Sequence, residues 1–390
     1  MVKNYLQMKL LNNIKTLSFF IILSLFALVG YGQDKQRWKQ GILKEEFLYE
    51  KAPFPSCHSA TLAETPMGLV SAFFGGTKER HPDVEIYVCR QENGVWTAPV
   101  SAADGVQADG SRLPTWNPVL YQVPNGDLLL FYKVGPKPSE WWGMLKRSKD
   151  GGKTWSDAEK LPDGNIGPVK NKPILLGNGQ LFCPSSTEGD GWKIHFEVTN
   201  DVGKTWRKIG PLEAKDSIDA IQPSILIHQD NKLQLLARSR NRALVQAWSD
   251  DNGETWSPLE KTTLPNNNSG TDAVTLQDGR EVLVYNHVLP PDDLAKGPRT
   301  PLNVSVSKDG KNWYAALILE DSPISQYSYP AVIQTKDGLV HFIYTWRREK
   351  IKHVVVDPGK LKLRKIKKGS WPKLKGYTPP TLNEYKKEED

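Results

Sequence analysis

After residue 50 the chain is divided by six pairs of short apolar runs. The first runs cover 59–62, 118–121, 173–176, 223–227, 273–276 and 330–333. The second runs cover 69–74, 128–132, 181–183, 233–237, 282–285 and 340–344. Val, Ile, Leu and aromatic residues fill the runs, and turn formers such as Asn125-Gly126, Asn178-Gly179, Asp278-Gly279 and Asp337-Gly338 separate several pairs. Runs of this length and punctuation predict strands joined by hairpins. No stretch after residue 34 sustains the spacing of an amphipathic helix. The pattern predicts an all-β chain of six like units.

A second pattern falls at a fixed place in the units. Ser148-Lys149-Asp150-Gly151-Gly152-Lys153-Thr154-Trp155 returns with few changes at 199–206 and 249–256, shortened at 307–313, and worn down to Asn93-Gly94-Val95-Trp96. The tryptophans stand at 96, 155, 206, 256 and 313, in steps of 59, 51, 50 and 57. A period near 50 marks one supersecondary unit used repeatedly. Asp folds its carboxylate onto nearby backbone N–H groups, Gly accepts positive φ, and Trp starts a strand with a large apolar face. The stretch S-x-D-x-G-x-T-W resembles the Asp-box of the sialidase-like propellers. The resemblance covers nearly all of 50–357 and implies a six-bladed β-propeller of four-stranded antiparallel blades. It also implies that these turns are structural and lie away from the central site. Ring closure is expected from pairing of 41–48 with a last strand at 351–356, which hides sheet edges.

Composition and charge refine this. Residues 1–32 have the pattern of a secretory leader: Lys3, Lys9 and Lys15, an apolar run over 17–29, then Gly30-Tyr31-Gly32. The run is short for a membrane span, and no Cys follows it to carry a lipid. A secreted or periplasmic protein is expected, with no stable membrane insertion once the leader is cut. The chain is +7 overall, but +4 without the leader, and 360–375 carries eight Lys/Arg and no acid, so the body is −4. The expected layout is a leader at 1–32, a propeller at 33–359 and a basic tail at 360–390. Such a tail reads as a solvated face or a contact for an anionic polysaccharide, and an exported protein has no call for nucleic acid. Cys57, Cys89 and Cys183 lack C-x-x-C spacing, so neither a metal site nor any cofactor is expected. Cys57 and Cys89 fall in one unit, as a bridge or as two buried thiols.

In a four-stranded blade the first strand lines the axis. Residues just before first strands and just after second strands therefore meet at one mouth of the ring. Those positions hold His58, Asn117, Lys170, Lys172, Gln222, Asp272, Tyr327 and Tyr329 on one side. On the other they hold Glu79, Lys133, Glu188, Arg238, Arg240 and Trp346-Arg347. A mouth this polar, cationic and aromatic suits an acidic oligosaccharide or polysaccharide.

The family resemblance assigns roles within this set. Sialidases hold a sugar carboxylate with three Arg and use a Tyr nucleophile, a Glu that activates it and an Asp acid/base. Leu236-Ala237-Arg238-Ser239-Arg240 is similar to the segment of the second Arg, 299–307 to that of the third, and Gln326-Tyr327-Ser328 to the nucleophile strand. Arg238, Arg299 and Tyr327 are implied accordingly. Ser56-Cys57-His58-Ser59 stands where the first Arg belongs, and Gln222 where the Glu belongs; Asp83 or Glu79 occupies the region of the acid. Three functions stay open: a sialidase-like exo-glycosidase, a lyase or dehydratase acting on uronate- or rhamnose-containing oligosaccharides with His58 or Tyr327 as base, and a glycan-binding propeller without chemistry. No oligomeric state is implied.

Overall fold

In the computed structural model, residues 38–373 are described except 293, 295 and 323–325; residues 1–37, which include the leader-like segment, and 374–390 lie outside the described residues. Six antiparallel sheets follow one another around a ring. Their innermost strands are Ser56–Thr65, Thr115–Gln122, Ile174–Leu175, Ala220–Ile227, Asp272–Thr275 and Tyr327–Gln334, in blades one to six. Second strands lie outside them at Gly68–Gly76, Leu128–Val134, Leu181–Thr187, Leu233–Ser239, Glu281–Tyr285 and Val340–Trp346. Among the described residues the helical elements are two 3-10 turns, Gln229–Asn231 and Pro358–Lys360.

The strands alternate or run continuously apolar because the faces of each inner blade layer are covered by neighbours. Leu128–Val134 is buried along its whole length. Seam clusters form between blades. Val282, Val304, Val332 and Phe342 fill blades five and six, while Phe182, Phe196, Ile225 and Leu235 fill blades three and four.

The ring closes as the sequence implies. Ile42–Phe47 supplies the outer strand of blade six by pairing with Lys350–Val356, from Ile42 opposite Val356 to Phe47 opposite Lys352. The other end of the chain also joins the ring. Arg364–Lys365 adds a fifth strand to blade five beside Trp313–Glu320, and Trp371 packs 5.5 Å from Trp38. Residues 360–371, placed in a tail by composition, are thus strapped to blade five. The three cysteines are buried, unbridged thiols.

The repeated turn joins third to fourth strands in blades two to five. In blade two Asp150 Oδ1 accepts the amides of Lys153 and Thr154 at 3.0 and 2.8 Å, and Oδ2 accepts the Thr154 hydroxyl at 2.6 Å. Asp201, Asp251 and Asp309 repeat this closure. Gly203 has φ +95° and Gly253 φ +87°, a conformation that glycine adopts without a Cβ clash.

The opposite end carries a different repeat. Inner strands of blades one, two, four and six each slip register near their start. At the slip sits a residue in the left-handed region: Ser59 (φ 60°), Asn117 (φ 37°), Gln222 (φ 57°) and Tyr329 (φ 51°). A bulge re-aims side chains and costs of order 1–3 kcal/mol when a non-glycine residue holds such a φ. These bulges turn the strand starts toward the axis.

Candidate active site

Tyr329 is the centre of the mouth. Its hydroxyl accepts Arg238 Nη1 at 2.8 Å. The guanidinium carbons of Arg238 and Arg299 lie 5.7 and 5.8 Å from its ring centroid, and Lys170 Nζ lies 5.8 Å away. His58 stacks against it with centroids 4.2 Å apart. A phenol ring ringed by cations is held by its negative face, and the bulge at 329 brings it there from blade six.

Arg238, near the end of the second strand of blade four, is buried. Nη1 also donates to Gln222 Oε1 at 3.3 Å, and Nη2 donates to the Asn268 carbonyl and, at 3.0 Å, to its amide oxygen. Its Nε is buried with no hydrogen-bond partner among the described residues. Trp192 roofs it, 5.0 Å from the guanidinium, and Arg240 stacks on the same indole at 4.2 Å. Arg240 also faces Asp219 at 3.6 Å on the rim.

A third guanidinium completes the group. Arg348 Nε and Arg299 Nη1 both donate to Gln326 Oε1, at 3.2 and 2.9 Å. Arg348 Nη1 pairs with Glu79 Oε2 at 2.6 Å. Arg347 (φ 55°) and Arg348 (φ 62°) are both left-handed, and this turn swings Arg348 inward. The window after the second strand of blade six predicts Trp346-Arg347, and Arg348 lies one residue beyond it. Arg348 stands in the pocket that lacks an arginine at 57–58.

The titration of the mouth follows from these neighbours. Burial, then Arg348, Arg299, Lys170 and Arg238, hold the His58 imidazole well below its ordinary range, so it is neutral at physiological pH. Its Nδ1 shares a 2.9 Å hydrogen bond with the Thr345 hydroxyl. Glu188, on the loop after the second strand of blade three, is pushed up mainly by burial, against the pull of Arg238 and Arg240. Glu79 is lowered: burial works against this, and Arg348 and Arg299 overcome it. Two carboxyl groups that feel one another are thus driven in opposite directions, the arrangement that separates an acid from a base.

Several expected site residues lie elsewhere. Tyr327 is 2% exposed in the apolar seam of blades five and six, beside Val304, Val332 and Tyr344; the register slip at 328–331 breaks the alternation that would put 327 and 329 on one face, and Tyr329 takes the central place. Lys133 is fully buried in the seam of blades two and three, where Nζ donates to the Pro168 carbonyl and burial lowers it to about 7. The Asp83 carboxylate closes its own loop on Thr77, accepting the amide at 3.0 Å and the hydroxyl at 2.6 Å, and faces His81 at 2.7 Å.

Lys170, Lys172 and Asp272 plug the channel rather than line an open mouth. Residues 170–172 leave the sheet, which is why the inner strand of blade three is only Ile174–Leu175. Lys170 Nζ donates to Thr271 O and Pro330 O in blades five and six, at 2.9 and 2.7 Å. Lys172 reaches Asp272 Oδ2 at 2.9 Å, and the same carboxylate accepts the Ser224 hydroxyl and the Val332 amide, both at 2.9 Å. Asp272 therefore ties blades three, four and six to five. Lys170 also forms the floor beneath Tyr329. Asn117 occupies the blade-two bulge, 5% exposed.

Comparison with known proteins follows the same lines. The family model described as a BNR repeat-like domain matches residues 68–342. A sialidase of Clostridium perfringens is 24% identical over 214 residues, 43% of this chain and 56% of that protein, so the chain spans little more than half of the relative's length. Among solved structures, the intramolecular trans-sialidase from Ruminococcus gnavus superposes with a TM-score of 0.64 at 14% identity, covering 83% of this chain and 99% of that one. The α-L-arabinanase of Penicillium chrysogenum superposes at 0.59 and 17% identity, covering 82% and 99%. At such identities the structures speak for the fold. The repeated units, the closed six-bladed ring and the family match agree: the chain belongs to the BNR repeat-like, sialidase-like family of β-propellers.

Proposed function

We propose that the chain is an exported, carbohydrate-active enzyme that removes a terminal anionic sugar from an acidic glycan by hydrolysis. The observation that carries this is the convergence of Arg238, Arg299 and Arg348, linked through Tyr329 and Gln326 at one end of the ring. Guanidinium groups in fixed orientation suit a carboxylate, and charge-assisted contacts contribute about 1.5–3 kcal/mol each. The leader-like pattern of 1–32 supports export.

Glu188 serves as the acid. Its raised pKa keeps a proton available for the leaving oxygen of the glycosidic bond. Glu79, kept ionised by Arg348, takes a proton from the attacking water. Gln222 stands beside Tyr329 and cannot accept a proton from it, so attack by water fits this mouth better than attack by the phenol. The arginines hold the sugar while positive charge develops at its anomeric carbon.

Elimination is the second reading, and one observation favours it: a neutral His58 stacked on Tyr329 is placed to act as a base. The deciding experiment is a screen of acidic oligosaccharides with the purified chain in heavy-oxygen water, read by mass. Hydrolysis places the label on the released sugar. An unlabelled, ultraviolet-absorbing product lighter by one water would overturn hydrolysis in favour of elimination, and no turnover of any acidic glycan would leave a binding propeller.

A further inference from the structure

The seams between blades are filled unequally. Trp256 stacks on Phe196 at 4.7 Å in the seam of blades three and four. Trp38 and Trp313 fill that of blades four and five, and Tyr49, Phe54 and Trp96 that of blades six and one. Blades one and two differ on their outer half. There the strand Val100–Ala103 offers only the small side chains of Ser101, Ala102 and Ala103 to the seam, and Trp142 is left half-buried. A cleft of about 390 Å³ stands between them, with Tyr132 as its floor and Asp104 and Gln107 at its edge.

The cleft is level with the mouth. His58 is paired with Phe74, Phe74 with Ile86, and Ile86 with Ala103, so Ala103 lies in the rank of His58, three strands outward. In blade two Thr115, Val134 and Trp142 form the neighbouring rank. Three strand spacings amount to roughly 14 Å, a distance that a few linked sugar rings span. Trp116 and Phe74 occupy the ground between, with ring centroids 6.4 Å apart.

The chemistry of the cleft differs from that of the mouth. A half-buried indole gives a flat apolar face, which suits the apolar face of a pyranose. Asp104 Oδ1 accepts the Val106 amide at 3.2 Å, and Gln107 Nε2 donates to Gly105 O at 2.7 Å. Asp104 Oδ2 and Gln107 Oε1 have no hydrogen-bond partner among the described residues, and each is an acceptor for a sugar hydroxyl. The Lys146 ammonium is turned to the Ala102 carbonyl at 2.8 Å. Among the described residues no guanidinium lines the cleft. A few polar groups around an aromatic wall make a binding site for a small polar ligand, and acceptors led by Asp104 favour a neutral sugar over a carboxylate.

We propose that this cleft is a subsite for neutral pyranose rings, carried behind the anionic end that enters the mouth. Its link to the mouth rests on the function proposed above; its affinity for a neutral sugar does not. The test is calorimetric titration of the full chain with lactose and with cellotetraose. Saturable binding is expected. It falls at least tenfold in Trp142→Ala and in Asp104→Ala, the second an exposed loop change that leaves the ring intact, and it persists in Arg238→Ala. Failure of both sugars to bind would overturn the proposal. So would binding that survives both cleft variants, or that is lost in Arg238→Ala alone, since it would then belong to the mouth. Cleft binding together with inactivity on every acidic glycan would uphold the subsite and remove the hydrolase reading.

Discussion

The two ends of the ring are built in opposite ways. At the turn end, each Asp closes on groups two to four residues away, and the same bonds recur in four blades. At the mouth end, Arg238 reaches Tyr329 across 91 residues, Lys170 reaches Pro330 across 160, and Arg348 reaches Glu79 across 269. The turn end repeats because each blade solves the same local problem. The mouth does not repeat because a single ligand would meet six different blades. Both ends use left-handed backbone: at the turns it falls on Gly203 and Gly253 and on Val202 and Asn252 before them, and at the mouth on Ser59, Asn117, Gln222 and Tyr329. What sets the mouth apart is that its left-handed residues sit at register slips inside the inner strands, where a bulge re-aims the neighbouring side chains.

This contrast can be broken by substitution. The largest effect is expected at Glu188. Glu188→Gln should lower turnover of an acidic glycan about 10²–10⁴-fold. In the native chain the rate should decline as pH rises through the elevated Glu188 pKa, and the variant should lose that alkaline limb. An unaltered pH profile would assign the acid to another group.

Next is Arg348, the cation one residue beyond the predicted window. Arg348→Ala removes a charge-assisted contact of about 1.5–3 kcal/mol, and affinity for an anionic sugar should weaken about 10–100-fold. Thermal melting should move little, because the group is partly exposed to solvent. Normal substrate affinity would make Arg348 a brace for Glu79 and nothing more.

Blade six sharpens the comparison, because its third and fourth strands come from opposite ends of the chain and no repeated turn joins them. There a row of side chains crosses the closure: His341 Nδ1 lies 2.9 Å from His353 Nε2, and His353 Nδ1 lies 3.0 Å from Glu46 Oε1. Burial and His353 lower His341 to about 4. The folded value lies below the unfolded one, so the unfolded chain takes the proton first. The associated stability is whole above about 6.5 and is lost as pH falls toward 4, on the order of 3 kcal/mol. Denaturant unfolding of the native chain and of His341→Gln across that window should show the slope in the former and a flatter profile in the latter.

The smallest effect belongs to the turn end. Asp309→Ala removes acceptors for the Lys311 and Asn312 amides. It should lower Tm by roughly 2–4 °C, the equivalent of one lost cap, with glycan turnover unchanged. A loss of turnover without a loss of Tm would place function at the turn end.

What is local follows from the amino-acid order alone. Period-two apolar runs, glycines after Asp, and tryptophans about 50 residues apart specify strands, turns and the number of blades, since their causes lie within a few residues. The closing strand was legible too, because a ring of blades leaves an open sheet edge that the segment before the first blade, 41–48, can pair with. Which side chains share the mouth depends on how the blades come together. Tyr327 and Tyr329 are two positions apart, and a single bulge at 328–331 sends one into a seam and the other to the axis. Arg347 and Arg348 are separated by one turn of backbone that no composition rule anticipates. Lys172 and Asp272, equal in sequence to any solvated pair, became a plug because the ring brings blades three and five within reach across its axis. Charge chemistry at a convergent site depends on distances between blades, and those are fixed only when all six have closed.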